Sequence, residues 1–566
     1  MPRSTTADRG RLGTTIRRTV AAFLAPMLMV GAAWAGVGLA PVMIPRATGA
    51  VAFTPLQDAV LGEGQTLVGA SQISLYPRPA DYAAEFPGAT WLQGEENRAA
   101  CTTLGPSLIS TLVTDPAEGA HLATAGPSPW PENPDCLYMG GFGLGPVNPI
   151  LDWDRAPGDP GYVADDDPQT GHGLSVRTVV LSDGQDTAVV TVLDAVGYLY
   201  DYASKCQAAR RVDCGARGLA VGLGDELDFD PDAMVLHATH SHAGPDLMGG
   251  WGFVPDWYFA QVVDTIRDSV RQAFNDMRPA HLEVGEEMAR DFNSERRDTY
   301  RSAEEQQLTW LRAIDAGSAE AGELVTIATL GAYAAHPTSY GTNGGTAHAD
   351  WVGVFEGRLE DRFGGVGMHV MTGLGNMSNA SGRTGSTALA DLIPEVGGGH
   401  LLTDTDIRAT AQRWNQPVTN VPLTALGLPG FFDRQFDLRP ASVTTGQRPG
   451  TAPCQSQAPV SVELQASAIM IGSDFALTAA PGEVFANLTN TIKERSPALV
   501  TIPVGQANDA LGYMPQEFEI NEIGQQGLGF FAGGVLVVNY EDSYAIDRCT
   551  GDKVLEDTLS MLAGLR

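Results

Sequence analysis

The stretch Met234-Val235-Leu236-His237-Ala238-Thr239-His240-Ser241-His242-Ala243-Gly244-Pro245 takes an apolar run past two histidines one residue apart and into a Gly-Pro turn. Side chains at i and i+2 of an extended strand share a face, so the spacing predicts that His240 and His242 converge on one centre. Neutral imidazole is the commonest metal ligand and a common general base near neutral pH. One ring can therefore hold a metal while the other handles protons. The same residues also suit two strand-end histidines bonded to carbonyls, and the rest of the chain has to separate the two readings.

Working outward, apolar runs and helical periodicity alternate. Residues 176–181 and 187–193 read as strands joined by a Ser-Asp-Gly hairpin turn, and 234–239 as the next strand. Residues 257–277 carry Phe259, Val262, Val263, Ile266, Val270 and Phe274 at helical spacing, stopping before Pro279. An apolar run over 324–335 ends in His336-Pro337-Thr338-Ser339. A helix over 351–363 and a strand over 368–372 follow, ending in Gly373-Leu374-Gly375-Asn376-Met377-Ser378. A Gly-rich loop then runs to about residue 399, with an amphipathic helix expected over 403–414. Residues 460–477 are β-rich, Pro481-Gly482-Glu483 opens a helix through Phe485, Leu488 and Ile492, and 498–504 is a further strand. This alternation predicts an α/β fold: a mixed, mainly parallel sheet flanked by helices in a single large catalytic domain. Ligands in such folds bind beyond the carboxyl ends of strands. His240, His242, His336, Ser378 and Glu483 each follow an apolar run closely, which predicts one composite site.

The chain has 566 residues, 43% of them hydrophobic, with a mean hydropathy of -0.07, a globular composition. Its formal net charge of -32 repels phosphate backbones, and no basic stripe offsets it, so nucleic acid is excluded as a partner. Arg3, Arg9, Arg11, Arg17 and Arg18 precede an uncharged apolar stretch over 19–45 containing Ala33-Trp34-Ala35. Residues 1–50 thus read as a signal peptide or N-terminal anchor, making the protein secreted or extracytoplasmic, or membrane-tethered by that segment. Residues 51–566 read as one large domain, with 51–167, rich in Gly, Pro and Asn, as an irregular covering segment. Six cysteines in an exported chain suggest up to three disulfides. Cys206–Cys214, Cys101–Cys136 and Cys454–Cys549 are the simplest of fifteen pairings. None has Cys-x-x-Cys zinc spacing.

Five motifs in order resemble the neutral/alkaline (non-lysosomal) ceramidases over residues 171–540. They are His237-Ala-Thr-His240-Ser-His242-Ala-Gly-Pro, Ala335-His336-Pro337-Thr338-Ser339 with Ala349-Asp350 and Gly353, Gly375-Asn376-Met377-Ser378, Ala480-Pro481-Gly482-Glu483, and Gly512-Tyr513. The resemblance implies one zinc per chain held by His240, His336, Glu483 and Tyr513, with Ser378 as nucleophile and His242 as proton-handling partner. It also implies Arg297, in Asn293-Ser294-Glu295-Arg296-Arg297, as a substrate-side cation. The activity implied is cleavage of an amide in an N-acyl lipid such as ceramide, with substrate taken from a membrane surface. Zinc lowers the pKa of bound water and polarises a carbonyl, which suits that chemistry.

Several positions depart from the family pattern. Asn379 replaces the proline that commonly follows the nucleophile, Ala243 follows His242, and Asp246 with Gly249-Gly250-Trp251-Gly252 resembles outlying members. Only residues 514–566 follow Tyr513, so a member lacking the immunoglobulin-like C-terminal domain is expected. Two other readings compete. One is an amidohydrolase barrel built on His-x-His, with a second metal and no need for Ser378. The other is a non-catalytic cell-surface binding protein on the same fold, whose acidic loops bind Ca2+; a structural Ca2+ or Mg2+ beside the zinc is a further reading.

Overall fold

The structure is a computed structural model. It describes residues 61–566 apart from 63, 92–100, 102–134, 142–147, 156–158, 160–172, 249–253, 298–302, 342–344, 380–381, 418–460 and 521–540. The expected signal or anchor over 1–50 lies outside the described residues. Among the described residues no helix is long and apolar enough to cross a membrane.

Strands β1 (Thr66–Ser74), β2 (Ser175–Ser182), β3 (Thr187–Leu193), β4 (Met234–Ala238), β5 (Arg278–Met288), β6 (Gln307–Asp315), β7 (Thr326–Tyr333) and β8 (Val366–Met371) build the main sheet. Their order is β8-β7-β6-β5-β1-β2-β3-β4, with His400–Leu401 paired onto β5. The hairpin between β2 and β3 turns where Asp183 Oδ1 accepts from the backbone N–H groups of Gln185 and Asp186 and Gly184 takes a φ of +93°. A second sheet runs in sequence order: β9 (Ile407–Pro417), β10 (Ser461–Ile471), β11 (Phe475–Ala479) and β12 (Val500–Val504).

The two sheets share one apolar core, with Val68, Val190, Leu282 and Met368 of the first against Ile469, Leu477 and Ile502 of the second. Helices α1 (Asp256–Asn275) and α2 (Asp350–Phe363) cover the other face of the main sheet. Phe259 and Ile266 pack with Val176 and Leu236, while Trp351 and Phe355 pack with Trp310 and Tyr333. Helices α3 (Ala486–Arg495) and α4 (Thr550–Leu565) cover the second sheet through Leu488, Ile492, Val554 and Leu562. Four layers result, helix-sheet-sheet-helix. Burial on both faces explains why β2 and β7 read as continuous buried runs. Gly69 lets α1 lie directly on β1, because a β-carbon there would collide with the Ala273 carbonyl.

Several expectations are corrected. Among the described residues the main sheet is mixed, with six antiparallel pairings and two parallel ones, so it is not mainly parallel. The physical reason is that β2–β3 return through a tight turn and β6–β7 through a connection holding only the five-residue helix Ala316–Glu320, too short for the crossover that parallel pairing needs. This sheet is not the all-parallel barrel of an amidohydrolase, which removes that alternative. Residues 66–74, expected to be part of an irregular cover, form a central strand between β5 and β2. The helix expected over 403–414 is strand β9, paired with β10 along its whole length. The β10 ladder overrides a pattern whose half-exposed polar residues fit either period. The loop expected before residue 399 contains a helix, Gly382–Ala390. Glu483 precedes α3 in the short strand Glu483–Val484 and does not open it.

The disulfides Cys101–Cys136 and Cys206–Cys214 form as the simplest pairing anticipates. Cys549 is also disulfide-bonded. Cys454 lies outside the described residues.

β4 and β8 are the two ends of the main sheet's strand order, yet they meet. The chain leaving β12 is wedged between them. Gly505 N–H donates to Met371 O, Ala238 N–H to Gln506 O, and Asn508 N–H to Leu236 O. His237 completes the closure, its Nδ1 3.0 Å from Gly505 O and its Nε2 accepting from Met371 N–H at 3.1 Å. The loops after β4, β7, β8 and β11 therefore open onto one rim.

Candidate metal centre and catalytic site

Strand β4 ends at Ala238, and His240 sits in the left-handed region with φ 65°. The two histidines therefore meet through a turn and not through strand alternation. A non-glycine residue in this conformation is strained and needs its surroundings to hold it. Two contacts do so: Thr239 Oγ1 donates to Asp194 at 3.2 Å, and His240 Nδ1 donates to Val196 O at 2.6 Å. Asp194 is in turn fixed by Ser175 N–H and by the buried Arg177, which is paired with Glu356 of α2.

The rings of His240, His242 and His336 lie 4.9–6.2 Å apart between centroids. Each Nδ1 faces a backbone carbonyl: Val196 for His240, Gly141 at 2.5 Å for His242, and Met377 at 3.1 Å for His336. A carbonyl only accepts, so each Nδ1 carries the proton and each Nε2 is left with a lone pair. These Nε2 atoms point at one another and at Glu483. His240 and His242 are 3.3 Å apart at Nε2, and Glu483 Oε2 is 3.0 Å from His336 Nε2 and 3.6 Å from His240 Nε2. Burial disfavours charge on all three rings, pushing His240 down to about 3, His242 down to about 4 and His336 well below the usual histidine value. Neutral lone pairs facing lone pairs and a carboxylate repel unless a cation lies among them. The donor set of imidazole nitrogens and one carboxylate oxygen suits a transition-metal ion. Among the described residues, His240, His242 and His336 are the only group of three or more potential His, Cys, Asp or Glu ligands this close together.

Glu483 reaches the cluster through a two-residue parallel pairing, Glu483 with Tyr513 and Val484 with Met514. Tyr513 stands beside it, its ring 6.4 Å from that of His336. Ser378 follows β8 on the short strand Met377–Asn379, bridged to His336 on one side and paired with Ser294 on the other. Its hydroxyl makes no hydrogen bond among the described residues. Asn376 locks this turn to its neighbours, accepting from Ala486 N–H at 2.8 Å and donating to Ala303 O at 2.9 Å. Asn293 likewise joins the carbonyls of Glu305 and Ala334.

Of the residues singled out from sequence, His240, His242, His336, Glu483 and Tyr513 come together, with Ser378 on the adjoining strand. Arg297 does not join them. Its buried guanidinium pairs with Asp542 at 2.8 Å, donates to Glu519 O and lies over the Phe485 ring. A buried charge needs a partner, and Asp542 supplies it away from the cluster. Arg296 is the guanidinium at the site, donating from Nη2 to Tyr513 OH at 2.9 Å and to Gly375 O at 2.7 Å. The adjacent arginines are visible in sequence, but only the path of the chain after Asn293–Glu295 decides which one turns inward.

No family model matches the sequence, and no curated protein does. Solved structures share its architecture. A ceramidase complexed with C2 superposes with a TM-score of 0.51 at 17% identity over 70% of each chain. The neutral ceramidase from Pseudomonas aeruginosa superposes with a TM-score of 0.50 at 17% identity over 69% of each chain. At that identity the likeness establishes architecture: this chain has a neutral ceramidase-like fold.

Proposed function

We propose that the protein is a zinc-dependent amide hydrolase acting on N-acyl lipids, exported by its N-terminal segment, with Ser378 as nucleophile. The observation that carries this reading is the convergence of three Nε2 lone pairs and the Glu483 carboxylate, each imidazole fixed by a carbonyl at Nδ1. His240, His336 and Glu483, with Tyr513 beside them, would hold one zinc, which when bound supplies Lewis-acid polarisation of the substrate carbonyl.

The chain's own groups do the rest. His242, lone pair at Nε2, accepts the proton of the Ser378 hydroxyl as its oxygen bonds to the amide carbon. The same Nε2 then returns that proton to the nitrogen as the C–N bond breaks and the amine leaves. Water hydrolyses the resulting ester by the same proton path and restores the Ser378 hydroxyl. Arg296, in place of Arg297, is the guanidinium beside the metal ligands, and its charge favours the developing oxyanion.

The test pairs metal analysis with a panel of N-acyl substrates. Purified protein is expected to carry about one zinc per chain, and Ser378→Ala to keep that zinc while losing turnover. Normal turnover by Ser378→Ala would remove the nucleophile assignment, and calcium without zinc would favour the non-catalytic binding protein.

A further inference from the structure

Consecutive acids from the C-terminal part of the chain meet the consecutive arginines of the site. Asp542 pairs with Arg297, and Glu541 Oε1 lies 2.9 Å from Arg296 Nε. Both acids are buried, Glu541 with 2% and Asp542 with 0% exposure. The two pairs differ in what lies beyond them. Past Arg297 are the Glu519 carbonyl and the Phe485 ring. Past Arg296 is Tyr513, contacted at its hydroxyl and with the guanidinium 5.4 Å from the ring centroid. Tyr513 is paired in turn with Glu483.

We propose that Glu541 is a positioning residue for the metal centre, acting through Arg296. The guanidinium is rigid and planar, so a carboxylate held against its Nε edge, as an ion pair without an aligned hydrogen bond at Nε among the described residues, orients where Nη2 points. Nη2 has two hydrogens, and both have acceptors: Tyr513 OH and Gly375 O. Glu541 therefore sets the contact between Arg296 and Tyr513 and ties it to the Gly375–Ser378 turn. It also balances the guanidinium charge, which would otherwise repel a dication held by the neighbouring imidazoles. The strap joining residues 541–542 to 296–297 makes the site depend on a segment remote in sequence from every motif in it. This inference rests on the reading that His240, His336 and Glu483 hold a cation.

The test measures zinc affinity of the full chain by chelator competition, with melting temperature recorded in parallel. Glu541→Gln is expected to weaken zinc binding roughly 10–100-fold, the usual consequence of removing an outer partner of a metal site, and Glu541→Asp to recover most of it. In an Arg296→Met background, which also removes the guanidinium charge, Glu541→Gln is expected to have no further effect. Asp542→Asn is expected to lower the melting temperature while leaving zinc affinity within about twofold, since its arginine does not touch the site. Unchanged affinity in Glu541→Gln, an equal loss in the Arg296→Met background, or an equal loss in Asp542→Asn would each overturn the positioning role. Wild-type protein that takes up no zinc would instead overturn the metal reading beneath it.

Discussion

Two sets of buried histidines serve opposite ends, although a member of each, His237 and His240, are only three residues apart. His237 has both ring nitrogens engaged by backbone, Gly505 O at one and Met371 N–H at the other, so it staples the two edges of the main sheet together. His369, between the rings of Trp351 and Phe355, is packed as a core side chain with no aligned hydrogen bond at either nitrogen among the described residues. In His240, His242 and His336 only Nδ1 is held by backbone, and the second nitrogen is turned toward its counterparts and Glu483. Burial is shared by both sets. The destination of the second nitrogen separates structure from chemistry.

The sharpest way to break this comparison is to remove members of the open set. His336→Ala or Glu483→Ala should strip the metal and reduce activity by more than the ~10–100-fold loss typical of an outer partner. Fold should be retained, as checked by circular dichroism and metal analysis. Metal retained at full stoichiometry in either variant would dissolve the distinction. His242→Asn should cost about 10²–10⁴-fold in kcat, the usual worth of a positioned proton carrier. Its melting temperature should stay close to wild type.

The closed set should fail in stability. His237→Ala removes both staples and leaves Met371 N–H without its acceptor, so a loss of about 2–5 kcal/mol is expected in denaturant unfolding. Zinc stoichiometry of the folded fraction should remain one. Loss of zinc without loss of stability would mean that the two sets are not functionally separate.

The smallest effect expected is on pH dependence. Burial pushes His237 down to about 4 and His369 down to about 3. Both are neutral when folded, whereas the unfolded chain takes up protons below about pH 6.5, so the unfolded state binds more protons in that window. Stability should be full above about pH 6.5 and fall as the pH drops toward 4, by up to ~1.4 kcal/mol per pH unit for each such histidine. His369→Phe keeps the aromatic packing and removes one titrating group, so it should flatten the acid limb in unfolding curves. An unchanged slope would show that His369 does not contribute to it.

How much was legible in sequence follows the same division. His240, His336 and Glu483 each stand just past an apolar run, and strand ends gathered on one rim are readable from pattern alone. The carbonyls of Val196, Gly141 and Met377 that fix the rings are not, because every residue has a carbonyl and only the path of the loops aims one. Arg296 and Arg297 are equivalent on paper, and Glu541 lies far from every motif that it supports. In the fold, hydrophobic runs located most strands and helices α1 and α2. Pattern could not tell β9 from a helix, because its pairing with β10 comes from a partner distant in sequence. Nor could it show that β4 and β8, at opposite ends of one sheet, close onto the segment after β12.

The most direct test of the metal centre is an anomalous difference map, recorded at the zinc edge on crystals of the zinc-loaded protein. One peak is expected within about 2.0–2.2 Å of His240 Nε2, His336 Nε2 and a Glu483 oxygen. A zinc-loaded crystal with no peak among those three atoms would contradict it.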